Sequence, residues 1–176
     1  EIFLGKISKW NDPKIQKANP GTKLPDMDIR VVHRSDSSGT TYVFTKHLAA
    51  ISKAWADGPG NAKSVDWPTG TGAPKNAGVA AEIKRTPGSI GYIEYGYSLS
   101  AGLPIAALEN KSGNYIKPSE KSGAAALASA ELPDDLIVWV SNPSGKDAYP
   151  IVTFTWVLAH PKYSPELGPS LKKVFE

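Results

Sequence analysis

The hydrophobic and polar positions of the chain change period several times, and these changes predict strands that alternate with helices. "DIRVVHRS", at 28–35, has a β-branched centre between turn residues and predicts a strand. From Ser38 to Trp55 the apolar residues fall at helical spacing, which predicts a helix directly after that strand. Such alternation is typical of an α/β fold, and we expect a mixed sheet flanked by helices.

Other stretches continue the alternation. Residues 58–78 are rich in glycine and proline and are expected to be mostly loop. The remaining expected elements are helices in "WNDPKIQKANPG", "GVAAEIKRTPG", "SGAAALASAEL" and "GPSLKKVFE", and strands in "SIGYIEYGYSL" (89–99) and "YPIVTFTWVLAH" (149–160).

Composition narrows the class of protein. The chain has 176 residues, of which 40% are hydrophobic, so one compact domain with a core is expected. The sequence has no cysteine, which excludes disulfides, thiolate metal ligands and cysteine nucleophiles. The net charge of +3 comes with scattered lysines, and we expect no nucleic-acid partner. The opening "EIFLGKISKW" is not a signal peptide and resembles the middle of a fold, so we expect a preceding segment.

The stretch "HRSDSSGTTYVFTKHL" carries the strongest candidate chemistry. A strand that leads through small residues into a helix leaves the first helical N–H groups unpaired, and these groups favour an anion. Ser38 and Thr40 add hydroxyl groups, Gly39 allows close approach, and Arg34 offers a bidentate fork that Asp36 would hold by an ion pair. An ordinary helix start capped by Asp36 or Ser38 is the alternative, and the pattern alone leaves both open.

Other possible sites are weaker. His33, His47 and His160 lack the spacing of metal ligands, and no zinc site is expected. The glycine-rich "TGTGAPKNAG" lacks the sequence of a nucleotide-binding phosphate loop, and no strand is evident before it. Glu94 lies in the expected strand 89–99, where a structural role is favoured over a ligand contact.

Four stretches follow one another along nearly the whole chain: "EIFLGKISKWNDPKIQKANPGTKLP", "RSDSSGTTYVFTKHL", "VDWPTGTGAPKNAGVAAEIKRTPGSIGYIEYGYS" and "DAYPIVTFTWVLAHP". In this order they resemble the periplasmic phosphate-binding proteins of bacterial phosphate ABC importers, the PstS family. The resemblance implies a lobe of the type II periplasmic binding protein fold. It also implies an exported bacterial protein, periplasmic or at the cell surface, whose partners are inorganic phosphate and the permease subunits of the importer.

The resemblance also implies which residues hold phosphate. Arg34 would supply guanidinium donors, and Ser38 a hydroxyl group. Gly39 and Thr40 would supply backbone N–H groups, with the Thr40 hydroxyl as a further donor. Asp36 matches the carboxylate that pairs with the arginine. The chain has a serine at position 37 where glycine is frequent in the family, a change that leaves the site intact.

One part of the family pattern is missing. The Gly-Ala-Gly-Ala-Thr-Phe-Pro-like segment of the first lobe, and the serine and acceptor aspartate that follow it, have no counterpart in these residues. We therefore expect 1–148 to be the second lobe of a two-lobed protein, and 149–176 to be a strand and helix start that return toward the missing N-terminal lobe. The chain would then be a fragment with about half of the phosphate site. In the family the loop with Lys75 and Asn76 lies near the cleft.

Two other functions stay open on the same scaffold. A phosphatase-like enzyme would act on phosphate esters, and an adhesion or interaction domain would bind another protein. The sequence pairs no nucleophile with a base, although His33 lies near Ser38 along the chain. We expect a binding protein that is not an enzyme and needs no cofactor.

Overall fold

A three-stranded parallel sheet forms the centre of the fold. In the computed structural model its strands are β1 (Arg30–Arg34), β2 (Thr71–Ala73) and β3 (Ser89–Gly91), in the order β2–β1–β3. The structure describes residues 1–128, 130–156, 160, 162–164 and 167–175.

Helices surround this sheet, and a small hairpin lies apart from it. The hairpin is an antiparallel pair, β4 (Leu108–Glu109) with β5 (Tyr115–Ile116). The helices are α1 (Pro13–Ala18), α2 (Gly39–Ile51), α3 (Lys53–Ala56), α4 (Lys75–Arg85), α5 (Tyr95–Ala101), α6 (Glu120–Leu127) and α7 (Leu167–Phe175), with a 3₁₀ turn at Ile2–Leu4.

The register of the sheet brings the carboxyl ends of its strands to one edge. Arg34 pairs with Ala73 at the end of β2, and Val32 pairs with Gly91 at the end of β3. In open parallel sheets this edge is where ligands bind, because the loops into the following helices meet there. The edge therefore positions any site that the β1–α2 and β2–α4 connections build.

Apolar packing fixes α4 against the sheet. Val32, Ala73 and Val79 form a buried cluster, and Ile83 and Ile93 pack against it. A Cβ atom at Gly91 would lie 2.7 Å from the Val32 carbonyl oxygen, so only glycine permits this close approach. The packing holds the beginning of α4 beside the end of β1.

A second cluster consists of aromatic rings, and one of them belongs to α2. Phe44 stacks on Tyr92 with ring centroids 4.3 Å apart, and Phe3 meets Phe44 edge to face at 4.8 Å. Trp67 lies 5.6 Å from Tyr92 and 5.8 Å from Trp55, which is buried. Aromatic pairs with such geometry each contribute about 0.5–1.5 kcal/mol beyond area burial. The cluster ties the first residues of the chain and the 58–78 loop to α2.

The α/β class expected from the sequence is confirmed. Parallel and antiparallel pairing both occur, but in two separate sheets. The strand at 28–35 is confirmed as β1, and four of the five expected helices are found as α1, α4, α6 and α7. The fifth, expected from Ser38 to Trp55, is divided at Ser52 into α2 and α3, because the Ser52 backbone is extended and its side chain caps a new helix start. Within the described residues, no helix combines the length and the apolar character that a bilayer crossing requires.

The strand expected at 89–99 is wrong beyond Gly91. The chain turns at Glu94, whose carboxylate accepts the N–H of Gly96 at 3.0 Å, and α5 begins at Tyr95. A local capping bond therefore outweighs the strand preference of Tyr95 and Tyr97. Glu94 thus caps α5 and does not lie in a strand.

Two further differences between the expected and the observed elements concern strands. Residues 149–156 and 160 form no strand, while 157–159 lie outside the described residues. Strand propensity needs a partner edge, and these described residues pair with none. Conversely, β2 lies inside the loop expected at 58–78, so a strand does precede α4.

The burial of His47, a residue of α2, can be tested by the pH dependence of stability. The residue is 6% exposed, and none of the described residues forms a hydrogen bond with its Nδ1. Burial lowers the pKa of His47, so the unfolded chain, with a histidine pKa of about 6.5, takes up a proton first as the pH falls. We expect the free energy of unfolding to fall below about pH 6.5 and to keep falling until the folded-state pKa is passed.

The measurement is urea denaturation between pH 5 and pH 8. His47→Leu removes the titrating group and should flatten this part of the profile. His160→Gln, at an exposed histidine, is the control and should leave the profile unchanged. A His47→Leu profile as steep as that of the unchanged chain would contradict the assignment.

Candidate functional site

The candidate site lies at the edge of the sheet where β1 and β2 end. Arg34 is the last residue of β1, and α2 begins five residues later at Gly39. Ala73 is the last residue of β2, and α4 begins at Lys75. Two helix starts, each carrying partial positive charge, thus flank one arginine.

Arg34 and Asp36 form a bidentate ion pair. The arginine Nε donates to Asp36 Oδ1 at 2.8 Å, and Nη2 donates to Oδ2 at 2.7 Å. The Arg34 side chain is only 9% exposed, whereas that of Asp36 is 38% exposed. The guanidinium holds the pKa of Asp36 well below its usual range, with help from the Lys75 N–H, and the same pair raises the pKa of Arg34. Both groups are therefore charged at neutral pH.

The start of α4 completes the shell around Arg34. Nη1 of the arginine donates to Asn76 Oδ1 at 3.1 Å. The backbone N–H of Lys75 donates to Asp36 Oδ1 at 3.0 Å, and Lys75 has a left-handed φ of 58°. A guanidinium has five N–H donors, and three are engaged by these contacts. Among the described residues, one N–H on each terminal nitrogen has no hydrogen-bond partner.

The start of α2 presents further donors. Ser38 caps the helix, since its hydroxyl oxygen accepts the N–H of Thr41 at 3.2 Å. Within the part of the chain that the structure describes, the N–H groups of Gly39 and Thr40 have no hydrogen-bond partner. A Cβ at Gly39 would meet no atom within 4 Å, so a ligand has room to reach the backbone. Capping and anion binding are thus compatible at this helix start.

Tyr92 joins these two segments, and the sequence analysis did not identify it as part of the site. Its hydroxyl lies 2.7 Å from the Thr41 Oγ1 and accepts the backbone N–H of Arg34 at 3.1 Å. Burial raises the pKa of Tyr92, so the hydroxyl stays protonated. The tyrosine therefore holds the end of β1 against the first turn of α2. The sequence placed it inside the strand expected at 89–99, and no local signal indicated such a role.

A family model described as "PBP superfamily domain" matches residues 1–175. The chain belongs to the PBP superfamily. This confirms the class of lobe that the motifs of the sequence implied.

Several curated proteins of similar sequence carry the name "Phosphate-binding protein PstS". The chain is 45% identical to that of Pasteurella multocida over 91% of its own length and 47% of the other protein. It is 43% identical to that of Methanocaldococcus jannaschii over 98% of its length and 49% of the other. The "Phosphate-binding protein PstS 2" of Mycobacterium tuberculosis is 35% identical over 93% and 46%. The chain spans about half the length of these curated relatives.

The structure of this PBP superfamily domain brings Arg34 and Asp36 together, and Tyr92 links the Arg34 backbone to Thr41 in the first turn of α2. His33 does not pair with Ser38: its ring stacks on Trp67 at 4.8 Å, and its Nδ1 lies 3.1 Å from the Arg34 carbonyl oxygen. Among the described residues, no group of three or more histidine or acidic side chains is placed to hold a metal ion. The arrangement offers hydrogen-bond donors to an oxyanion.

Tyr92→Phe tests how the PBP superfamily site is held together. The change leaves the buried Thr41 hydroxyl and the Arg34 N–H without their partner. We expect a loss of about 1–3 kcal/mol in the free energy of unfolding, the cost of unpaired buried polar groups. Urea denaturation measures it.

Tyr97→Phe is the matched control, because that residue is 45% exposed and its hydroxyl makes no hydrogen bond with the described residues. It should change the free energy of unfolding little. Equal losses in the two variants would refute the role of the Tyr92 hydroxyl.

Proposed function

We propose that this chain binds inorganic phosphate at the Arg34 site and belongs to a substrate-binding component that delivers phosphate to an ABC importer. Two observations carry the proposal. Arg34 is fixed by Asp36 and Asn76 and keeps two N–H donors without a partner among the described residues. The Gly39 and Thr40 N–H groups, on the strand–helix connection that follows it, are also unpaired there. The names of the relatives support phosphate as the anion.

The proposed phosphate shell follows from the chemistry of these groups. Arg34 donates from its two terminal nitrogens, and charge-assisted bonds of this kind are about twice as strong as neutral ones. Gly39 and Thr40 donate from the backbone, where the helix dipole adds to the attraction. Ser38 and Thr40 donate through their hydroxyl groups. Asp36 touches the arginine and orients it.

The rest of the shell, in this proposal, comes from a first lobe that these residues do not include. Phosphate would lie between the lobes, and closure around it would create the form that the permease subunits recognise. Such a protein works outside the cytoplasmic membrane, in the periplasm or at the cell surface. The chain alone would supply about half of the contacts and hold the anion weakly, since solvated charge pairs attract less than buried ones.

The proposed activity requires no chemical step. Ser38 has a hydroxyl group that could act as a nucleophile, but this group caps α2. His33 could act as its base, but its ring stacks on Trp67 and its Nδ1 contacts the Arg34 carbonyl oxygen. These contacts support a binding role over ester hydrolysis.

A titration of the phosphate-stripped chain with phosphate tests the proposal, with sulfate as the control anion. We expect saturable binding with a dissociation constant on the order of 1 mM, about −4 kcal/mol, by NMR or calorimetry. The amide signals of Gly39 and Thr40 should move most. Sulfate should bind with similar strength, because the acceptor aspartate of the family is absent. No movement of these two amides at saturating phosphate would refute the proposal.

Arg34→Ala should weaken phosphate binding about 10- to 100-fold, the equivalent of about 1.5–3 kcal/mol for hydrogen bonds to a charged group. Arg34→Lys keeps the charge but loses the bidentate geometry, so its affinity for phosphate should lie between those of the unchanged chain and Arg34→Ala. Lys17→Ala removes one exposed positive charge elsewhere and is the matched control. The same titration measures all three, and equal losses in Arg34→Ala and Lys17→Ala would refute the assignment.

A further inference from the structure

Asn76 contacts the arginine of the site but has no place in the phosphate shell proposed above. It is the second residue of α4 and is half-buried. Its Oδ1 accepts from Arg34 Nη1 at 3.1 Å, across 42 positions of sequence. An arginine side chain can only donate, so the amide atom that faces it is the oxygen.

We propose that Asn76 is a positioning residue for Arg34, an inference that rests on the proposed function. Asp36 holds Nε and Nη2 of the guanidinium, and Asn76 holds Nη1. All three nitrogens are therefore fixed before a ligand arrives. An arginine held in this way loses less conformational entropy when its remaining N–H groups meet an anion.

The neutral charge of Asn76 matters as much as its position. Asp36 already offsets the positive charge of Arg34 once. A second carboxylate on Nη1 would give the three side chains a net negative charge, and that charge would repel an anion at short range. An amide oxygen orients the guanidinium without this penalty. We infer that asparagine at this position fixes the arginine and leaves the site attractive to anions.

The same side chain has an ordinary structural interpretation, and Asn76→Ala separates the two. If Asn76 served only α4, this change would leave anion binding alone. If Asn76 positions Arg34, anion binding falls, because the guanidinium is less well fixed. Asn76→Asp tests the importance of neutral charge: an aspartate in the first turn of a helix favours stability, because it interacts with the positive end of the helix dipole, while its charge beside Arg34 weakens anion binding.

The test uses NMR titration with inorganic phosphate of the whole chain and three variants. Asn76→Asp should weaken phosphate binding at least about 10-fold through close charge repulsion. Asn76→Ala should weaken it about 3- to 10-fold, because one hydrogen bond to the arginine is lost. Urea denaturation should give Asn76→Asp the stability of the unchanged chain or more.

Ala77→Asp is the matched control. It adds the same charge one residue further along the same helix turn, at an exposed position, and leaves the Asn76 contact in place. It should weaken phosphate binding by less than about 3-fold, because solvent and salt screen an exposed charge. Equal weakening in Ala77→Asp and Asn76→Asp would overturn the inference, since a general charge effect would then explain both. Unchanged binding in Asn76→Ala would overturn it as well.

A second readout needs no phosphate and separates the inference from the proposed function. In the ligand-free chain, the Arg34 side-chain N–H signals should exchange faster with solvent in Asn76→Ala than in the unchanged chain. Faster exchange without phosphate binding would mean that the proposed function fails while the positioning role stands. Equal exchange rates would overturn the positioning role even if phosphate binds.

Discussion

The bidentate pair between Arg34 and Asp36 is the interaction on which the site depends. A nearly buried guanidinium is costly unless it is paired, and Asp36 offsets that cost with two short hydrogen bonds. The same pair links two loops, because Asp36 also accepts the N–H of Lys75 at the start of α4. The ends of β1 and β2 are thus joined by a hydrogen bond to a charged group as well as by strand pairing.

Two sets of contacts, one near this pair and one further away, hold the surrounding elements in place. Close by, Tyr92 bonds the last strand residue to Thr41 in the first turn of α2. Further away, the aromatic cluster and the apolar packing of α4 hold the two helices that point at the arginine. Donors that are fixed in advance bind an oxyanion better than mobile ones, because less ordering accompanies binding. Such prior fixing of donors is what the proposed phosphate site requires.

The sequence predicted the part of the site that is continuous along the chain. Arg34 to Thr40 lie within one strand–helix connection, so local rules and motif resemblance were enough to propose them as phosphate contacts. Tyr92 and Asn76 reach Arg34 from 58 and 42 positions away, and only the packing of the sheet brings them there. Local signals also failed at Tyr95. The residues of this stretch favour a strand, but the Glu94 carboxylate caps a helix that begins there.

The parallel pairing of β1 with β2 has a consequence for how the chain folds. Arg34 and Ala73 become neighbours only after a long connection closes, and such non-local pairing is slow compared with local helix formation. The contact between Asn76 and Arg34 depends on this pairing, so it forms only once the non-local part of the fold is in place. An anion that binds only the folded site would favour the folded chain by mass action, and its concentration would then help determine how long the chain survives unfolding and proteolysis.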